Sequence, residues 1–497
     1  MEDPLGEALE FMEASRHVEA DTLLREATRR EPHDSTALLI MVGNLLDWVR
    51  IPSPLVNALL GRCEGELGHT RTWAWLRTRS DIAAGDWDAA LARVDPECRE
   101  DTDNINAFLP RARIHLHRGH LKAAERDITH ALNCAPLCAD GLKLQAALAR
   151  RRGDEIRSTK ILSRALSLYP WRPRIRLLRG LGALKLGDLE TGWSDLAHVV
   201  PFSGSFRRHP PPRTPIWTGE QNPDLHLLII SEQGLGDAMQ LGRFLPWARQ
   251  RVGRLTLACQ PTLHRLFAPL VDAVIPLNDR DVDHDAWAGF FHLPRLHQRA
   301  TGRWHPVPRY LEARVEDAAP RRQRATGRGQ DRGTPTLSVG LVWAGNPDQL
   351  NDRHRSMNLE QLHPLLDIPG TRFRSFQLGT GSEQVTASNG KISPRPDSFG
   401  DFLDDATAMA ELDLLISVDT SVAHLAGAIG QRTWVLLSHA ADWRWEGDEG
   451  RSAWYPEMRL YRQTRRGDWT DVIEHVARDL EHEVQTLRMA FDPPGPR

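Results

Sequence analysis

GHLKAAERDITHALNCAP, residues 119–136, has a counterpart in GDEIRSTKILSRALSLYP, residues 153–170. The two segments begin 34 residues apart and agree at spaced positions: the leading glycine, Ala131-Leu132 over Ala165-Leu166, and Pro136 over Pro170. Gly85 and Gly187 extend the register on either side, and the same spacing runs back through Ile51 to His17. Leu121, Ala124, Ile128 and Leu132 fall on one helical face, and Ile161, Leu162, Ala165 and Leu168 repeat it. Chance is a poor account of four glycines in register with two proline echoes.

A period of 34 residues is that of the tetratricopeptide helix-turn-helix unit. In this reading a small residue near the end of the first helix lets the second helix approach. Alanine does the same on the facing side, and proline stops the second helix. Gly85, Gly119 and Gly153 are then structural. Ile51-Pro52-Ser53-Pro54 interrupts the pattern, so the second unit is irregular. An array of this kind, expected over residues 1–205, offers a concave surface to a protein or peptide.

Past residue 205 the grammar changes. RRHPPPRTP (207–215) is basic and proline-rich and cannot continue a helix, so 206–224 reads as a stiff linker. Short apolar runs then alternate with helical stretches. LHLLIIS (225–231), LTLAC (255–259) and AVIPL (273–277) form one block. LSVGLVWAG (337–345), FRSFQLG (373–379), ELDLLISVD (411–419) and TWVLLS (433–438) form the next. PRRQRATGRGQDRGTP (320–335) divides them; without interleaved aromatics it reads as a linker, not a nucleic-acid surface. The alternation predicts two parallel, helix-covered sheets, over 225–319 and 336–497. The expected class is α + α/β: an all-α solenoid, then two Rossmann-like domains whose ligands bind beyond the carboxyl ends of the strands.

Composition sets outer limits. The 497 residues suffice for roughly two to four domains. A net charge of −3 speaks against a nucleic-acid binder. The five cysteines are scattered, and Cys134 and Cys138 have no second pair to complete a zinc site. MEDPLGEALE at the N-terminus lacks the basic and apolar regions of a signal peptide. No run of 18 apolar residues is present to span a membrane. The cytoplasm is the expected compartment.

Three predicted strand ends carry chemistry-bearing residues. In SEQGLGDAMQLGRFLP (231–246), a strand ends at Ser231, Gly234 and Gly236 make a tight turn, and Asp237 opens a helix. Asp237 is a helix cap or a general base facing the cleft. In WAGNPDQLNDRHRSMNLEQL (343–362), Gly345-Asn346 leads into a loop holding Arg353, His354 and Arg355. Two arginines there suit a diphosphate, or are a solvated surface. In SVDTSVAHLAGAIG (417–430), Asp419, Thr420 and Ser421 close the strand and start a helix whose free amides favour a phosphate. His424, one turn in, is a ligand or a buried, hydrogen-bonded core residue. The alternating aspartates Asp279, Asp281, Asp283 and Asp285 contain D-x-D but read as an acidic loop, and no metal site is expected.

On GLGD (234–237), GNPDQLNDRHRS (345–356) and SVDTSVAHLAGAIG (417–430), the last 280 or so residues resemble bacterial heptosyltransferase-like glycosyltransferases of the GT-B fold. The whole chain looks like bacterial proteins that fuse tetratricopeptide repeats to such a domain, some of which glycosylate flagellin in the cytoplasm. The resemblance implies an inverting transfer from a nucleotide-sugar, without metal or other cofactor, to Ser or Thr of a protein held by the repeats. It implies Asp237 as the base, with Gln233, Gly234 and Gly236 on the acceptor side. Donor contacts fall to Gly345, Asn346, Arg353 or Arg355, Asp419, Thr420, Ser421 and His424. The sequence departs from the family at Ser421, where glycine is usual, and in its arginines, where lysine is common. O-linked N-acetylglucosamine transferases also join these repeats to a GT-B domain, but their donor-site strings do not match. A non-catalytic scaffold and transfer to a lipid-linked or glycan acceptor are the competing readings.

Overall fold

The computed structural model describes residues 34–48, 54–202, 211–279, 282–304, 309–313, 335–347, 349, 352–446 and 450–491. His17, Ile51, Asp281 and nearly all of the 320–335 stretch lie outside these residues. The chain divides into two compact units, one ending at Val199 and the other beginning at Val200.

In the first unit the helices come in pairs: α1 (Ser35–Trp48), α2 (Pro54–Leu67), α3 (Arg71–Ala84), α4 (Trp87–Glu100), α5 (Ile105–Arg118), α6 (Leu121–Cys134), α7 (Ala139–Arg151), α8 (Glu155–Leu168), α9 (Pro173–Lys185) and α10 (Leu189–Val199). The predicted faces are the buried ones. Ala124, Ile128 and Ala131 are sealed against Ala107, Ala112 and Leu144, while Leu162, Ala165 and Leu166 meet Leu142 and Ala146. Asp127 accepts both arms of the Arg111 guanidinium, and Asp195 holds Arg179 in the same way.

The period is confirmed, but its physical cause differs from the expected one. Gly85, Gly119, Gly153 and Gly187 sit just past the first helix of each pair with φ of +79°, +79°, +82° and +79°. A Cβ at any of the four would meet nothing within 4 Å. They are selected for a left-handed backbone, not for close approach. Close approach falls to other glycines: a Cβ at Gly192 would lie 2.4 Å from Leu184 Cδ2.

The second unit holds two sheets. The first has the order β3-β2-β1-β4, from β1 (Asn222–Ile230), β2 (Val252–Cys259), β3 (Ala273–Pro276) and β4 (Ala286–Gly289). The second has the order β10-β9-β8-β5-β6-β7, from β5 (Leu337–Val342), β6 (Thr371–Ser375), β7 (Ile392–Ser393), β8 (Leu414–Val418), β9 (Thr433–Leu437) and β10 (Met458–Arg462). All strand pairings are parallel. β1 begins ahead of the expected start at 225. Within the stretch expected as a linker, Ile216 bridges to Trp287 and Trp217 is buried. β4 and β10 were not anticipated. The fold is thus α + α/β: a tetratricopeptide-type solenoid followed by two Rossmann-like sheets.

The long helix Thr470–Phe491 covers the second sheet, with Val472, Val476, Leu480 and Val484 in one core with Val339, Leu341, Ile416 and Leu436. Strand order reverses between β1 and β4 in the first sheet and between β5 and β8 in the second. Such switch points open a crevice at the strands' carboxyl ends. The three motifs singled out in the sequence follow β1, β5 and β8. No helix among the described residues is long and apolar enough to cross a membrane.

Candidate functional site

The turn after β1 starts the helix Leu235–Leu241, with Gly234 as its extended N-cap residue. Asp237 is the third residue of that helix, and its Oδ2 accepts the Gly234 N–H at 3.2 Å. Its Oδ1 accepts from Arg444, a residue of the loop after β9. The N-cap position thus belongs to Gly234, not to Asp237 as the simpler reading held; Asp237 sits three residues on, where its carboxylate returns to the Gly234 N–H and also faces the second sheet.

The turn after β8 starts the helix Ser421–Ile429. Thr420 is its N-cap residue in extended conformation, and its side chain makes no capping bond; its hydroxyl lies 3.3 Å from that of Ser417. The first amides of this helix are thus not consumed by the cap, which is the condition for an anion to use them. Small residues bring the two helices together. A Cβ on Gly236 would stand 3.0 Å from His424 Cδ2 and 3.8 Å from Ser421 Cα. The GLGD turn and the SVDTSVAH turn therefore pack against each other.

His424 takes the structural alternative. It is 3% exposed, stacked on Trp445, with Nδ1 at 3.0 Å from the Tyr455 hydroxyl. Burial, followed by the charges of Arg444, Arg243 and Arg355, drives its pKa well below the ordinary value, so the ring is neutral. It backs the Gly236 turn and presents little ring surface to a ligand. Asp419, half-buried, has its pKa pushed up to about 6, first by burial and then by the nearby Asp442 carboxylate, against the pull of Arg355 and Arg444.

The loop after β5 separates the two candidate arginines. Arg355 donates to Asp352 at 3.1 Å, and a Cβ on Gly345 would meet its Nη2 at 2.6 Å. The Gly345 N–H itself donates to Ser356 Oγ at 2.8 Å, and the Asn346 carbonyl accepts the Gln349 N–H at 3.1 Å. Arg353 is exposed and directed to His354, whose Nε2 also lies 3.3 Å from Arg466. Arg355 is the arginine whose field reaches Asp419 and His424.

Three residues at this site escaped the sequence reading. Arg444 joins the two sheets through Asp237, Gln240 and Asp442. Arg243, 1% exposed, donates to the carbonyls of Gln240 (2.9 Å) and Trp454 (3.1 Å) and lies over the rings of Tyr310, Trp454 and Tyr455. Glu232 is buried, and its carboxylate accepts the N–H groups of Phe290 (2.7 Å) and Phe291 (3.0 Å). Gln233 is tied by its carbonyl to Gln260 at 2.9 Å. Of the D-x-D aspartates, Asp285 accepts the His226 N–H at 2.8 Å and so braces β1. Among the described residues, no group of three or more His, Cys, Asp or Glu side chains is placed to hold a metal ion.

No family model matches the chain. Protein FlbA of Caulobacter vibrioides is 26% identical over 331 residues, covering 60% of this chain and 53% of FlbA. The chain thus spans about half the length of that relative. The O-GlcNAc transferase of Thermobaculum terrenum is 13% identical, with 84% of this chain and 92% of that one covered at a TM-score of 0.32. The glycosyl transferase family 9 protein of Veillonella parvula is 12% identical, with 55% and 99% covered at a TM-score of 0.34. Likeness of shape at these scores carries no argument about chemistry.

Proposed function

We propose that the chain is an inverting, metal-independent glycosyltransferase that moves a sugar from a nucleotide-sugar to Ser or Thr of a protein recruited by the repeat array. The observation that carries this reading is the meeting of two turns: Gly236 against Ser421 and His424, with Asp237 on one side and the open amides after Thr420 on the other. A base and an anion site at one cleft are what such a transfer needs.

In this scheme the donor's phosphates rest on the amides at Thr420-Ser421, with Arg355 as counter-charge in place of a metal. Gly345 and Asn346 shape the loop that holds Arg355, and Asp419 stands beside the donor sugar. Gln233 and Gly234 line the acceptor side. Asp237 takes the proton of the acceptor hydroxyl. The hydroxyl oxygen bonds to the anomeric carbon, and the anomeric carbon–oxygen bond breaks with its electron pair going to the leaving phosphate. A single displacement inverts the anomeric centre. We place the reaction in the cytoplasm, and flagellin is the acceptor class to which the resemblance of the whole chain points.

Asp237→Asn tests the scheme. Co-expression of wild-type protein with an acceptor and a supply of nucleotide-sugars is expected to add one or more sugar masses to the acceptor. The variant is expected to add none while keeping its thermal shift with nucleotide. An unchanged mass increment in the variant removes Asp237 from the mechanism. No increment with any wild-type and donor combination favours a scaffold.

A further inference from the structure

Asp237 has a partner 207 residues away that its own neighbourhood does not announce. Arg444 donates in three directions: to Asp237 Oδ1, to Gln240 Oε1 at 2.8 Å and to Asp442 Oδ1 at 2.6 Å. Asp237 and Gln240 are neighbours on one face of the Leu235–Leu241 helix, three residues apart. Asp442 lies in the loop after β9 and also accepts the backbone N–H of Arg444. The guanidinium lies over the Trp443 ring, 4.3 Å from its centre, and the side chain is 13% exposed. Burial opposes the charge, but Asp237 and Asp442 outweigh it and raise the arginine's pKa further, so Arg444 is a permanent cation.

The geometry divides the two oxygens of Asp237. Oδ1 is taken by the cation, whereas Oδ2, among the described residues, receives only the Gly234 N–H at 3.2 Å. Each oxygen has one such donor and room for a second; the charge at Oδ1 is already met by a cation, so Oδ2, bound by a neutral amide, is the better acceptor of a hydroxyl proton. We infer that Arg444 is the positioning residue for Asp237: it fixes the carboxylate through Oδ1 and so presents Oδ2 to the acceptor hydroxyl, while Asp442 and Gln240 fix Arg444. This rests on the reading of Asp237 as the base. Lysine keeps the charge but lacks the planar fork, so it meets only part of the three-way arrangement.

The test uses the full chain with Arg444→Met, Arg444→Lys and Asp442→Asn, and has two readouts. In steady-state transfer, kcat is expected to fall about 100-fold in Arg444→Met and about tenfold in Asp442→Asn, with donor KM within about threefold of wild type. Arg444→Lys is expected to recover about tenfold of the loss. A large rise in donor KM at unchanged kcat overturns the inference, because Arg444 would then bind donor phosphate directly. The second readout needs no turnover: carbodiimide coupling at Asp237, followed by peptide mass spectrometry. Coupling is expected to rise severalfold in Arg444→Met and to stay near wild type in Arg444→Lys. Equal coupling in all variants overturns the inference even if the wild-type protein transfers no sugar, the separate outcome that sinks the transferase reading. Should Arg444→Met fail to fold, coupling in Asp442→Asn decides: it rises if Asp442 anchors Arg444, and its constancy overturns the inference.

Discussion

His424 stacks on Trp445, with ring centroids 4.9 Å apart and planes inclined by 22°. The imidazole is neutral because burial, aided by three arginines, disfavours its charged form. A neutral, stacked ring can be replaced by another flat ring. We predict that His424→Phe leaves the pH–rate profile unchanged in shape and lowers stability by about 1 kcal/mol, the cost of removing the hydrogen-bond partner of the Tyr455 hydroxyl. Profiles of kcat/KM against pH, with urea denaturation, check both parts. Loss of a titrating limb in the variant would show that His424 changes charge during turnover.

Gly236→Ala probes the contact between the two turns. Its methyl would press on His424 Cδ2 at 3.0 Å, and that ring is backed by Trp445 and cannot retreat. The helix carrying Asp237 must shift instead. We expect about a tenfold loss in kcat from a displacement of a few tenths of an ångström, with a stability change of about 1 kcal/mol. Wild-type kcat in this variant would show that the contact does not position the site.

Glu232 makes stability depend on pH. Burial pushes its carboxyl up to about 7 from an ordinary 4.5, so the folded state favours the protonated form more than the unfolded chain does. Its contribution is therefore full below about pH 4.5 and is lost as pH rises through about 7. Relative to Glu232→Gln, the wild-type protein should lose up to ~3 kcal/mol between pH 4.5 and pH 8, in order of magnitude. Thermal melts of both proteins across this range provide the comparison, and parallel curves would rule the effect out.

The repeat glycines separate backbone from packing effects. Gly119→Ala meets open space but must hold φ at +79°, which costs about 1 kcal/mol. Gly192→Ala keeps an ordinary helical backbone but drives a methyl into Leu184, at 2.4 Å from Cδ2 and 3.1 Å from its backbone nitrogen. The second should be the more damaging, by about 1–3 kcal/mol of overpacking. Gly119→Asn should be milder than Gly119→Ala, since asparagine tolerates the left-handed region. Denaturant titration of the three variants tests the ranking.

The array was legible because its signal is periodic and local: the faces built on Ile128 and Ala165 are one helix deep. The reason first given for its glycines was wrong, since spacing alone does not tell a left-handed cap from a close contact. The strand ends bearing Asp237, Arg355 and Thr420 were legible because long apolar runs lead into them. β4 was not: AWAG has four residues, three of them alanine or glycine, and it is a strand because β1 offers it a ladder. Arg243 and Arg444 were missed for a related reason. A lone arginine has no pattern, and the partners that carry each of these two across to the other sheet lie 204 to 211 residues away.

Arg243 seals the seam between the two sheets. Its guanidinium sits within 4.9–5.2 Å of three ring centres, with its Nε and Nη1 bonded to carbonyls from either side. Prising the sheets apart there would strip a cation of its carbonyls and its rings together, a penalty of several kcal/mol. The seam therefore acts as a bulkhead, not a hinge. In the proposed transfer, nucleotide and product would then pass along the outer rim of the strand ends, past Arg355 and Thr420, while the floor of the cleft stays shut.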